Sequence, residues 1–403
     1  MAEFTPRDPV DGDTEVTSFW RDRRIGHLTS IDSSLYVLLG TELAADVAVG
    51  AKVYALSAPG DRADQLASIG VEHVGIPSLR RAWDPLADAR AARELANTLR
   101  KLQLDVLHTH MPKGGIMGRI IGRMAGIPIV VNTCHGLWVR AEDPRLMRWG
   151  VLLAEGLASR FSDAELYQNQ EDHDRMRWAV GSDRGQVVGN GVDLGRFRFD
   201  PVARMRVRAA WSVGEDELLV GAVGRIIESK GVFVFAEAAR RLAGRARFVW
   251  IGQHDQEHPD AIAACDGPVE FVGLQSDMPA VLSALDVFVH PSYAREGLSR
   301  ASMEAAAIGR PIVITDVRGC REIGRPYEDV LLVAPRSADQ LTGALDVLLS
   351  DRRLRERLGA SAQRRAMVRF DQMAVASSSL RTYEEVARRK GLDRRWGRPL
   401  PPR

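Results

Sequence analysis

Two glutamates stand eight positions apart in a segment that could hold a phosphorylated ligand. Glu296 follows an apolar run that closes at Pro291, and Glu304 lies among methionine and alanine residues. The run predicts a buried strand, and Ser299 can cap a helix over the apolar residues 301–308. Glu296 is therefore expected in the loop between strand and helix, and Glu304 inside the helix.

In an open α/β sheet, the loop at the carboxyl end of a strand is where ligands bind. The free amides of Gly297, Leu298 and Ser299 are expected to point at an anion there. Glu304 has no polar helix face to lie on, and burial of an unpaired carboxylate is costly. It needs hydroxyl or amide partners, which a ribose diol would supply. The alternative is that Glu304 pairs with an arginine from another element.

A second charged pair follows a strand earlier in the chain. Arg225 comes directly after the apolar run 218–223 and one glycine, and Lys230 comes five positions later. Fixed cations there stabilise the negative charge that grows on a diphosphate as the bond to its sugar breaks. We therefore expect Arg225 and Lys230 near the loop of Glu296, above the same sheet.

The elements that must position these side chains alternate in type along the chain. Short apolar runs with the length of strands are separated by segments with helical spacing. This alternation predicts an α/β fold with parallel, doubly wound sheets. We predict a disordered tail at 1–20, one domain at 21–190 and a second at 191–371. A C-terminal helix with a basic tail, at 372–403, is expected to pack back on the first domain.

The composition limits the class of protein. With 403 residues the chain is long enough for two domains with separate cores. A net charge of +2 gives no basis for nucleic-acid binding, and three cysteines without a CxxC pair indicate neither disulfides nor a zinc cluster. No apolar run approaches the ~18–20 residues that span a bilayer, and the start lacks the parts of a signal peptide. A cytoplasmic location is expected.

Two segments have less certain roles. Residues 190–217 have the glycine, proline and mixed charge of a linker that leads into the second domain. Residues 138–161 predict a long helical stretch in which Trp138 and Trp149 stand among arginines. Such a stripe either packs into a core, which is the commoner case, or lies on the inner face of the plasma membrane.

The motifs resemble those of family-four retaining glycosyltransferases. These enzymes have the GT-B fold, in which two Rossmann-like doubly wound domains face each other across a cleft. Glu296 and Glu304 are similar to the EX7E signature of that family, with a closing Gly-x-Pro-Ile-Val at 309–313. The sequence NGVD at 190–193 is similar to the hinge of the same family.

The resemblance implies a role for each matching residue. It gives Arg225 and Lys230 to the diphosphate and Glu304 to the ribose of a nucleotide-sugar donor, expected to be a UDP-sugar. Glu296 would bind the hydroxyls of the sugar. The amides of Gly297, Leu298 and Ser299 would contact the phosphates. His135 would contact the exocyclic oxygen of the sugar. The implied catalytic set is Glu296, His135, Arg225 and Lys230.

The segments 110–115 and 315–322 are similar to a subgroup that acts in bacterial surface-polysaccharide assembly. This similarity implies an acceptor sugar carried on a polyprenyl diphosphate, and peripheral contact with the membrane. Acceptor-side candidates are Asp32, Lys113 and Gly114. Lys113 either binds an acceptor phosphate or is a plain surface lysine, and the first loop lacks the glycines of the wider family.

No carboxylate nucleophile is evident on the face opposite Glu296. We therefore expect same-face displacement, in which the leaving phosphate helps to deprotonate the acceptor hydroxyl. No metal or other cofactor is expected, because no Asp-x-Asp pair ends a strand. Three alternatives stay open: a soluble acceptor such as a natural-product core, a UDP-sugar 2-epimerase with the same fold, and a non-catalytic protein that binds a nucleotide-sugar.

Histidines near strand ends invite other interpretations. His108 and His110 stand two positions apart on a predicted strand end. Their side chains are expected to face opposite sides, so a shared zinc ion is not predicted. Cys134 and His135 resemble a nucleophile and its base, but neighbours on one strand point apart.

Overall fold

A computed structural model describes residues 19–396 of the chain, except 81–83, 111, 140–142, 257, 259, 263, 264, 266 and 295. It divides into two compact units. The N-terminal unit comprises the described residues up to Gly189 and those from Gln372 onward, and the C-terminal unit comprises residues 190–371. The expected domain boundaries lie within one residue of the two points at which the chain passes from one unit to the other. The expected packing of the last helix with the first domain corresponds to this division.

The described part of the N-terminal unit has a parallel sheet of seven strands in the order β3-β2-β1-β4-β5-β6-β7. Its strands are β1 (Arg24–Leu28), β2 (Lys52–Ser57), β3 (Val71–Gly75), β4 (Val106–His110), β5 (Ile129–Cys134), β6 (Ala164–Tyr167) and β7 (Gly185–Val187). The order reverses between β1 and β4. The carboxyl ends of these two strands flank the crevice in which ligands bind in such sheets.

Helices cover this sheet, because its strands are apolar on both faces and a parallel sheet must be buried on both. The helices are α1 (Asp32–Ala48), α2 (Ala63–Ser68), α3 (Pro85–Leu102), α4 (Pro112–Met124), α5 (Arg145–Ala158), α6 (Gln170–Val180), α13 (Gln372–Arg389) and α14 (Leu392–Arg395). The core between the sheet and α1 includes Leu35, Leu39 and Leu43 together with Tyr383 of α13. The C-terminal helix is therefore part of this core.

The C-terminal unit repeats the plan with six parallel strands in the order β10-β9-β8-β11-β12-β13 within its described residues. Its strands are β8 (Leu219–Val223), β9 (Arg247–Ile251), β10 (Val269–Phe271), β11 (Val287–His290), β12 (Ile312–Thr315) and β13 (Val330–Val333). Its helices are α7 (Pro201–Ala210), α8 (Val232–Arg241), α9 (Met278–Ala284), α10 (Arg300–Ala307), α11 (Ala338–Ser350) and α12 (Arg352–Arg369). Here the order reverses between β8 and β11. The predicted α/β class with two Rossmann-like domains is confirmed.

Three expectations need correction. Within the segment expected to be a linker, residues 201–210 form α7, because the Asp200 side chain accepts hydrogen bonds from two amides of a first turn that Pro201 opens. The long helix expected from residue 138 begins only at Arg145. Expected disorder at 1–20 is wrong for Phe19 and Trp20, which are fully buried. Residues 1–18 lie outside the described part.

Trp20 shows why the tail ends earlier than its composition indicates. Its indole Nε1 donates a hydrogen bond to Glu384 Oε1 at 3.1 Å, and its ring packs edge-on against Tyr383. Both partners lie on α13, more than 350 positions later in the chain. A composition argument confined to the first 20 residues contains no information on such a partner.

Candidate active site

Glu296 lies at the centre of a polar cluster at the carboxyl ends of β8 and β11. Its Oε1 contacts Lys230 Nζ at 2.5 Å and accepts a hydrogen bond from Ser292 Oγ at 2.9 Å. The Nε2 of His290, the last residue of β11, lies 3.6 Å from the same oxygen. The structure therefore brings together Glu296 and Lys230, as expected from their positions after two neighbouring strands.

The charge of Glu296 is held by these neighbours. Burial raises the pKa of this carboxyl, but Lys230 and His290 outweigh burial and lower the pKa well below its usual value. A carboxylate that stays ionised accepts hydrogen bonds from sugar hydroxyls, and the ammonium group beside it suits a phosphate. The cluster can therefore contact both sides of a sugar–phosphate bond.

Close backbone contacts fix the loops that carry this cluster. Gly231 follows Lys230 with a φ of +83°, and a Cβ at this position would lie 2.2 Å from the carbonyl oxygen of Pro291. Gly319 has a φ of +79°, and its Cβ would lie 2.2 Å from the carbonyl oxygen of Gly297. A side chain at either position would combine strain with a clash. These glycines let the loops after β8 and β12 lie against the loop of Glu296.

Arg225 lies at the end of β8 and is paired with Asp255. Its Nη1 lies 2.6 Å from Asp255 Oδ2. The carbonyl oxygen of Gly224 accepts a hydrogen bond from the Trp250 indole at 2.8 Å, which fixes the turn that presents Arg225. The side chain keeps 39% of its exposure, so the guanidinium remains accessible from solvent.

Helix α10 begins where the sequence predicts. The Ser299 side chain caps it by accepting a hydrogen bond from the amide of Ser302. Leu298 and Ser299 are buried, and Ser299 directly follows the loop at the helix N-terminus. Such a terminus attracts anions through its unpaired amides and the helix dipole.

Glu304 is buried inside α10, and its partner lies on the same helix. Its Oε1 lies 3.1 Å from Nε of Arg300, one turn earlier. Burial raises the pKa of Glu304, and Arg300 opposes this shift only in part. The ion-pair partner of Glu304 is thus on its own helix, while the charge of Arg196, from the segment before α7, also lowers the pKa of Glu304. The Arg300 side chain is 34% exposed, and a carboxylate paired with one arginine can accept further hydrogen bonds.

In the N-terminal unit, both ring nitrogens of His135 are engaged. Nε2 lies 3.0 Å from His110 Nδ1, and Nδ1 lies 2.9 Å from Gln168 Nε2. Burial lowers the pKa of His135 to about 4, although the charge of Glu42 opposes this shift and that of His108 adds to it. The ring is therefore neutral near pH 7. A ligand that contacts a nitrogen of His135 must displace Gln168 or His110.

The three acceptor-side candidates also have partners within the unit. Lys113 is buried and forms an ion pair with Asp88. Asp32 accepts hydrogen bonds from the amides of Ser33 and Arg62 at 2.7 and 3.0 Å. Gly114 lies in α4 against the backbone of Thr29, where a Cβ would be 3.4 Å from Thr29 Cα. The interpretation of Lys113 as a plain surface lysine is wrong, because the side chain is buried.

Comparison with known proteins adds an independent line of evidence. Residues 39–191 match the family described as "Glycosyl transferase 4-like domain", and residues 217–351 match "Glycosyl transferases group 1". The chain belongs to the family-four glycosyltransferases. The resemblance inferred from the EX7E and NGVD segments is confirmed at the level of the family.

Relatives of this glycosyltransferase are named for transfer to sugars on undecaprenyl diphosphate. The N,N'-diacetylbacillosaminyl-diphospho-undecaprenol α-1,3-N-acetylgalactosaminyltransferase of Campylobacter jejuni is 26% identical over 374 residues, which cover 90% of this chain and 99% of the relative. The UDP-Gal:α-D-GlcNAc-diphosphoundecaprenol α-1,3-galactosyltransferase of Escherichia coli is 26% identical over 69% of this chain and 74% of its own length.

A solved structure supports the same fold. HepE of Anabaena, determined in complex with UDP, matches with a TM-score of 0.75 at 18% identity, over 90% of this chain and all of its own. At this identity the match establishes the fold. The chain therefore has the GT-B fold, and its membership of the family makes it a glycosyltransferase enzyme.

The expectation for His108 and His110 of this enzyme is wrong. Residues two apart on a strand face the same side of the sheet, and the two ring centroids lie 4.2 Å apart. They join His27 of β1 and Glu42 of α1 in a group whose potential ligand atoms lie within 4.8 Å of one another. Sequence spacing, interpreted with the correct strand period, would have placed the two histidines together.

His290 and Ser292 are site residues that sequence reasoning did not assign to Glu296. His290 is 3% exposed, and neither ring nitrogen has a hydrogen-bond partner among the described residues. The available signal was a histidine at the end of the otherwise apolar run Val287-Phe288-Val289. A polar residue at the carboxyl end of a buried parallel strand indicates a site.

The ion pair of Lys230 and Glu296 predicts an asymmetric stability effect. We expect Lys230→Met to destabilise the C-terminal unit, because Glu296 is left buried without its cation. The loss should fall below the ~3–5 kcal/mol of fully buried pairs, since the side chains keep 19% and 15% of their exposure. The double variant Lys230→Met/Glu296→Gln should recover part of it. Urea unfolding monitored by tryptophan fluorescence measures both.

Arg352→Met is the matched control, because it breaks an exposed pair with Glu356 whose side chains are 82% and 61% exposed. Its effect should stay within about 1 kcal/mol.

The lowered pKa of Glu296 also determines the pH range in which the ion pair stabilises the unit. The contribution of the pair is present above pH 4.5, the ordinary pKa of the carboxyl, and is lost as pH falls through the lower folded-state pKa. Equal destabilisation by the single and double variants would contradict this account.

Proposed function

We propose that this glycosyltransferase transfers a hexose or N-acetylhexosamine from a UDP-sugar to a sugar on a polyprenyl diphosphate, with retention of anomeric configuration. The observation that carries the proposal is the cluster of Glu296, Lys230 and Ser292 at the switch point of the C-terminal sheet. Relatives named for undecaprenyl-diphosphate acceptors support the acceptor class.

In this proposal each part of the donor is bound by the site residues whose charge or hydrogen-bonding groups suit it. Lys230 and Arg225 bind the diphosphate, and the N-terminus of α10 adds amide donors. Glu296 accepts hydrogen bonds from sugar hydroxyls. Glu304 binds the ribose through its free acceptor capacity. Of the commonest bases, uracil is favoured because the solved structures with this fold include complexes with UDP and UDP-glucose.

The catalytic step in this proposal needs no metal at the donor site. The leaving diphosphate gains negative charge, and Lys230 and Arg225 supply compensating positive charge that is already in place. Same-face displacement transfers the acceptor proton to the leaving phosphate oxygen as the new glycosidic bond forms. His135 completes the set as the residue that contacts the transferred sugar.

A soluble acceptor is the second candidate, and one observation favours it. The D-inositol 3-phosphate glycosyltransferase of Xylanimonas cellulosilytica is 28% identical over 311 residues, which cover 71% of this chain and 73% of the relative. The acceptor in the name of that relative, D-inositol 3-phosphate, carries no lipid. The identity of the acceptor therefore has to be tested against membrane and soluble compounds.

Helix α5 supports the membrane-borne acceptor. Its exposed apolar stripe consists of Leu146, Trp149, Leu153 and Leu157, which are 53–86% exposed. These positions recur every three or four residues and lie on one face. Arg145 and Arg160 at the ends are exposed and suit anionic headgroups. By contrast, Val151 and Leu152 pack against a buried cluster, so the stripe and the core use different faces of α5.

No helix among the described residues is both long and apolar enough to cross a bilayer. We propose that the α5 stripe inserts its apolar side chains into the inner leaflet interface while the rest of the unit stays in water. The diphosphate-linked sugar of the acceptor and the protein would then both lie at the interface of the inner leaflet. In this proposal the enzyme works at the inner face of the plasma membrane.

One consequence of the proposed function concerns the donor. Among UDP-, GDP- and TDP-sugars, we expect one UDP-sugar to release nucleotide, with stimulation by a bacterial membrane lipid extract. Glu304→Gln should lower kcat/KM roughly 10- to 100-fold, because it removes a hydrogen bond from a charged group worth ~1.5–3 kcal/mol. Coupled detection of free UDP measures the rate. Exposed Glu215→Gln in the same unit is the control.

Other outcomes would replace the proposal. Conversion of the donor to its C2 epimer would establish the epimerase alternative. Tight donor binding without release under any condition would favour a non-catalytic protein. Release stimulated by soluble sugar acceptors alone would favour the second candidate.

A second consequence concerns retention. The product should keep the anomeric configuration of the donor sugar, determined from the proton coupling constant of the anomeric centre. Enzyme quenched by acid during turnover should keep its unmodified mass, because no sugar becomes attached to the protein. A mass increase equal to one sugar would overturn same-face displacement in favour of a covalent intermediate.

A third consequence concerns the membrane. The protein should float with vesicles that contain phosphatidylglycerol, and less with pure phosphatidylcholine. The triple variant Leu146→Glu/Trp149→Glu/Leu153→Glu should lose flotation, because it places three charges in the apolar stripe. Leu86→Glu, at a position 76% exposed in the same unit, should float like wild type. Equal flotation of the triple variant and wild type would contradict the assignment of the surface.

A further inference from the structure

Buried polar side chains form an unbroken hydrogen-bonded chain beneath the carboxyl ends of β1, β4 and β5. Neighbouring strands contribute one histidine each, and a carboxylate closes the inner end. His27, His110 and Asp46 are fully buried, while His135 at the outer end is half-buried. The members in order are Asp46, His27, His110, His135 and Gln168.

The four links have ordinary hydrogen-bond lengths. From the inner end, Asp46 Oδ2 lies 2.7 Å from His27 Nε2, and His27 Nδ1 lies 3.1 Å from His110 Nε2. His110 Nδ1 lies 3.0 Å from His135 Nε2, and His135 Nδ1 lies 2.9 Å from Gln168 Nε2. Each histidine therefore uses one nitrogen toward each neighbour. The chain gives every ring nitrogen a partner.

A neutral imidazole has one donor and one acceptor, so the chain must run in one direction. When the Gln168 amide donates to His135 Nδ1, the proton of His135 is on Nε2 and is donated to His110. His110 then donates from Nε2 to His27, and His27 donates from Nε2 to Asp46. All three rings are neutral in this arrangement. The outer nitrogen of His135 is then a hydrogen-bond acceptor.

One added proton reverses every link between the rings. A proton that enters at His135 Nδ1 releases the Nε2 proton of His135 to His110 Nδ1. The Nε2 proton of His110 then passes to His27 Nδ1. His27 becomes an imidazolium beside Asp46, and His110 and His135 remain neutral as the opposite tautomers. The outer nitrogen of His135 now carries a proton and donates a hydrogen bond. The side-chain oxygen of Gln168 can accept this hydrogen bond once its amide group has rotated by half a turn.

The surroundings favour His27 as the place where the added proton rests. Burial lowers the pKa of His27, but the hydrogen bond and charge of Asp46 outweigh it and raise the pKa above 6.5. Burial and the neighbouring histidines hold the pKa of His110 well below 6.5. The other titratable groups that face the chain are Glu42 of α1, His108 of β4 and Tyr383 of α13. Of these, the Glu42 carboxylate also favours a positive His27.

We propose that Asp46, His27 and His110 are positioning residues for His135, and that one proton on the His27–Asp46 pair switches the outer nitrogen of His135 from acceptor to donor. The switch determines whether His135 accepts a hydrogen bond from a sugar hydroxyl or donates one to a sugar oxygen. The latter consequence rests on the proposed function, in which His135 contacts the transferred sugar. The proton chain itself does not.

A metal site is the competing interpretation of the same residues. Potential ligand atoms of His27, Glu42, His108 and His110 lie within 4.8 Å of one another. Zinc bound by His27 Nδ1 and His110 Nε2 would replace the hydrogen bond that now joins these nitrogens. The continuous chain with a partner at every nitrogen favours the proton. Metal analysis of the purified protein separates the two.

The test uses the full chain labelled with ¹⁵N-histidine, without substrate. The nitrogen shifts of the nine histidines distinguish protonated from bare nitrogens. As the pH falls we expect a transition with its midpoint above 6.5, in which His27 becomes charged. His110 and His135 should move their single proton from Nε2 to Nδ1 with the same midpoint. Exposed His254 in the C-terminal unit is the internal control.

Two variants act on opposite ends of the chain. Asp46→Asn removes the charge that holds the proton, so the midpoint should fall by at least about one pH unit. Gln168→Glu offers only acceptor oxygens to His135, so the midpoint should rise. Exposed Asp64→Asn should leave the midpoint unchanged. Opposite shifts are not expected from general loss of structure, and either variant alone suffices if the other does not fold.

Three results would overturn the chain. The first is that His110 and His135 keep the same tautomers across the transition. The second is that the two variants shift the midpoint in the same direction. The third is zinc in the purified protein at one ion per chain. With an active donor, the midpoint of kcat/KM against pH should follow the NMR midpoint in both variants. An NMR switch without this kinetic shift overturns the positioning role. Inactivity with every donor overturns the proposed function instead, and the NMR result decides the chain independently.

Discussion

A carboxylate removed from water must be paired with a cation or hydrogen-bonded from several directions, and this demand organises both units. In the C-terminal unit, Glu296 is paired with Lys230 from the loop after the neighbouring strand. In the N-terminal unit, Asp46 is paired with His27. Each partner comes from a strand beside the switch point or from the loop that follows such a strand. The parallel sheet therefore supplies, at one edge, the groups that the buried acids require.

The two sites use this arrangement differently. Lys230 and Arg225 are partly exposed and offer fixed charge to a ligand. The histidine chain is closed at its inner end, where Asp46 and His27 are fully buried. A fixed cation holds one charge state over a wide pH range, whereas an imidazole changes state near neutrality. The donor cluster is therefore suited to holding an anion, and the histidine chain to responding to a proton.

Much of this architecture could be predicted from the sequence, because strand and helix periods are local properties. The Glu296 loop, the Ser299 cap and the position of Glu304 in a helix follow from a few neighbouring residues. Partners from distant elements could not be found in this way. Trp20 with Glu384 is such a case, and so is Asp255, which pairs with Arg225.

Other differences between expectation and structure have local causes. Helix α7 was hidden by its arginines, although Asp200 and Pro201 mark its start. Arg204 and Arg208 are largely covered and pair with Asp286, a partner about 80 positions later in the chain. The error at His108 and His110 came from the side-chain period of a strand, which returns to the same face after two residues. The pairing of Glu304 with Arg300 follows from helical spacing, since residues four apart are neighbours.

The chain leaves the N-terminal unit at Gly189 and returns at Gln372, so that residues 190–371 are inserted into it. During synthesis the inserted unit is complete before α13 emerges from the ribosome. Until then the surface that receives Leu380, Tyr383 and Val386 has no cover. The first unit to be translated is therefore the last to be finished, and it exposes an apolar face to water until the final helix is made.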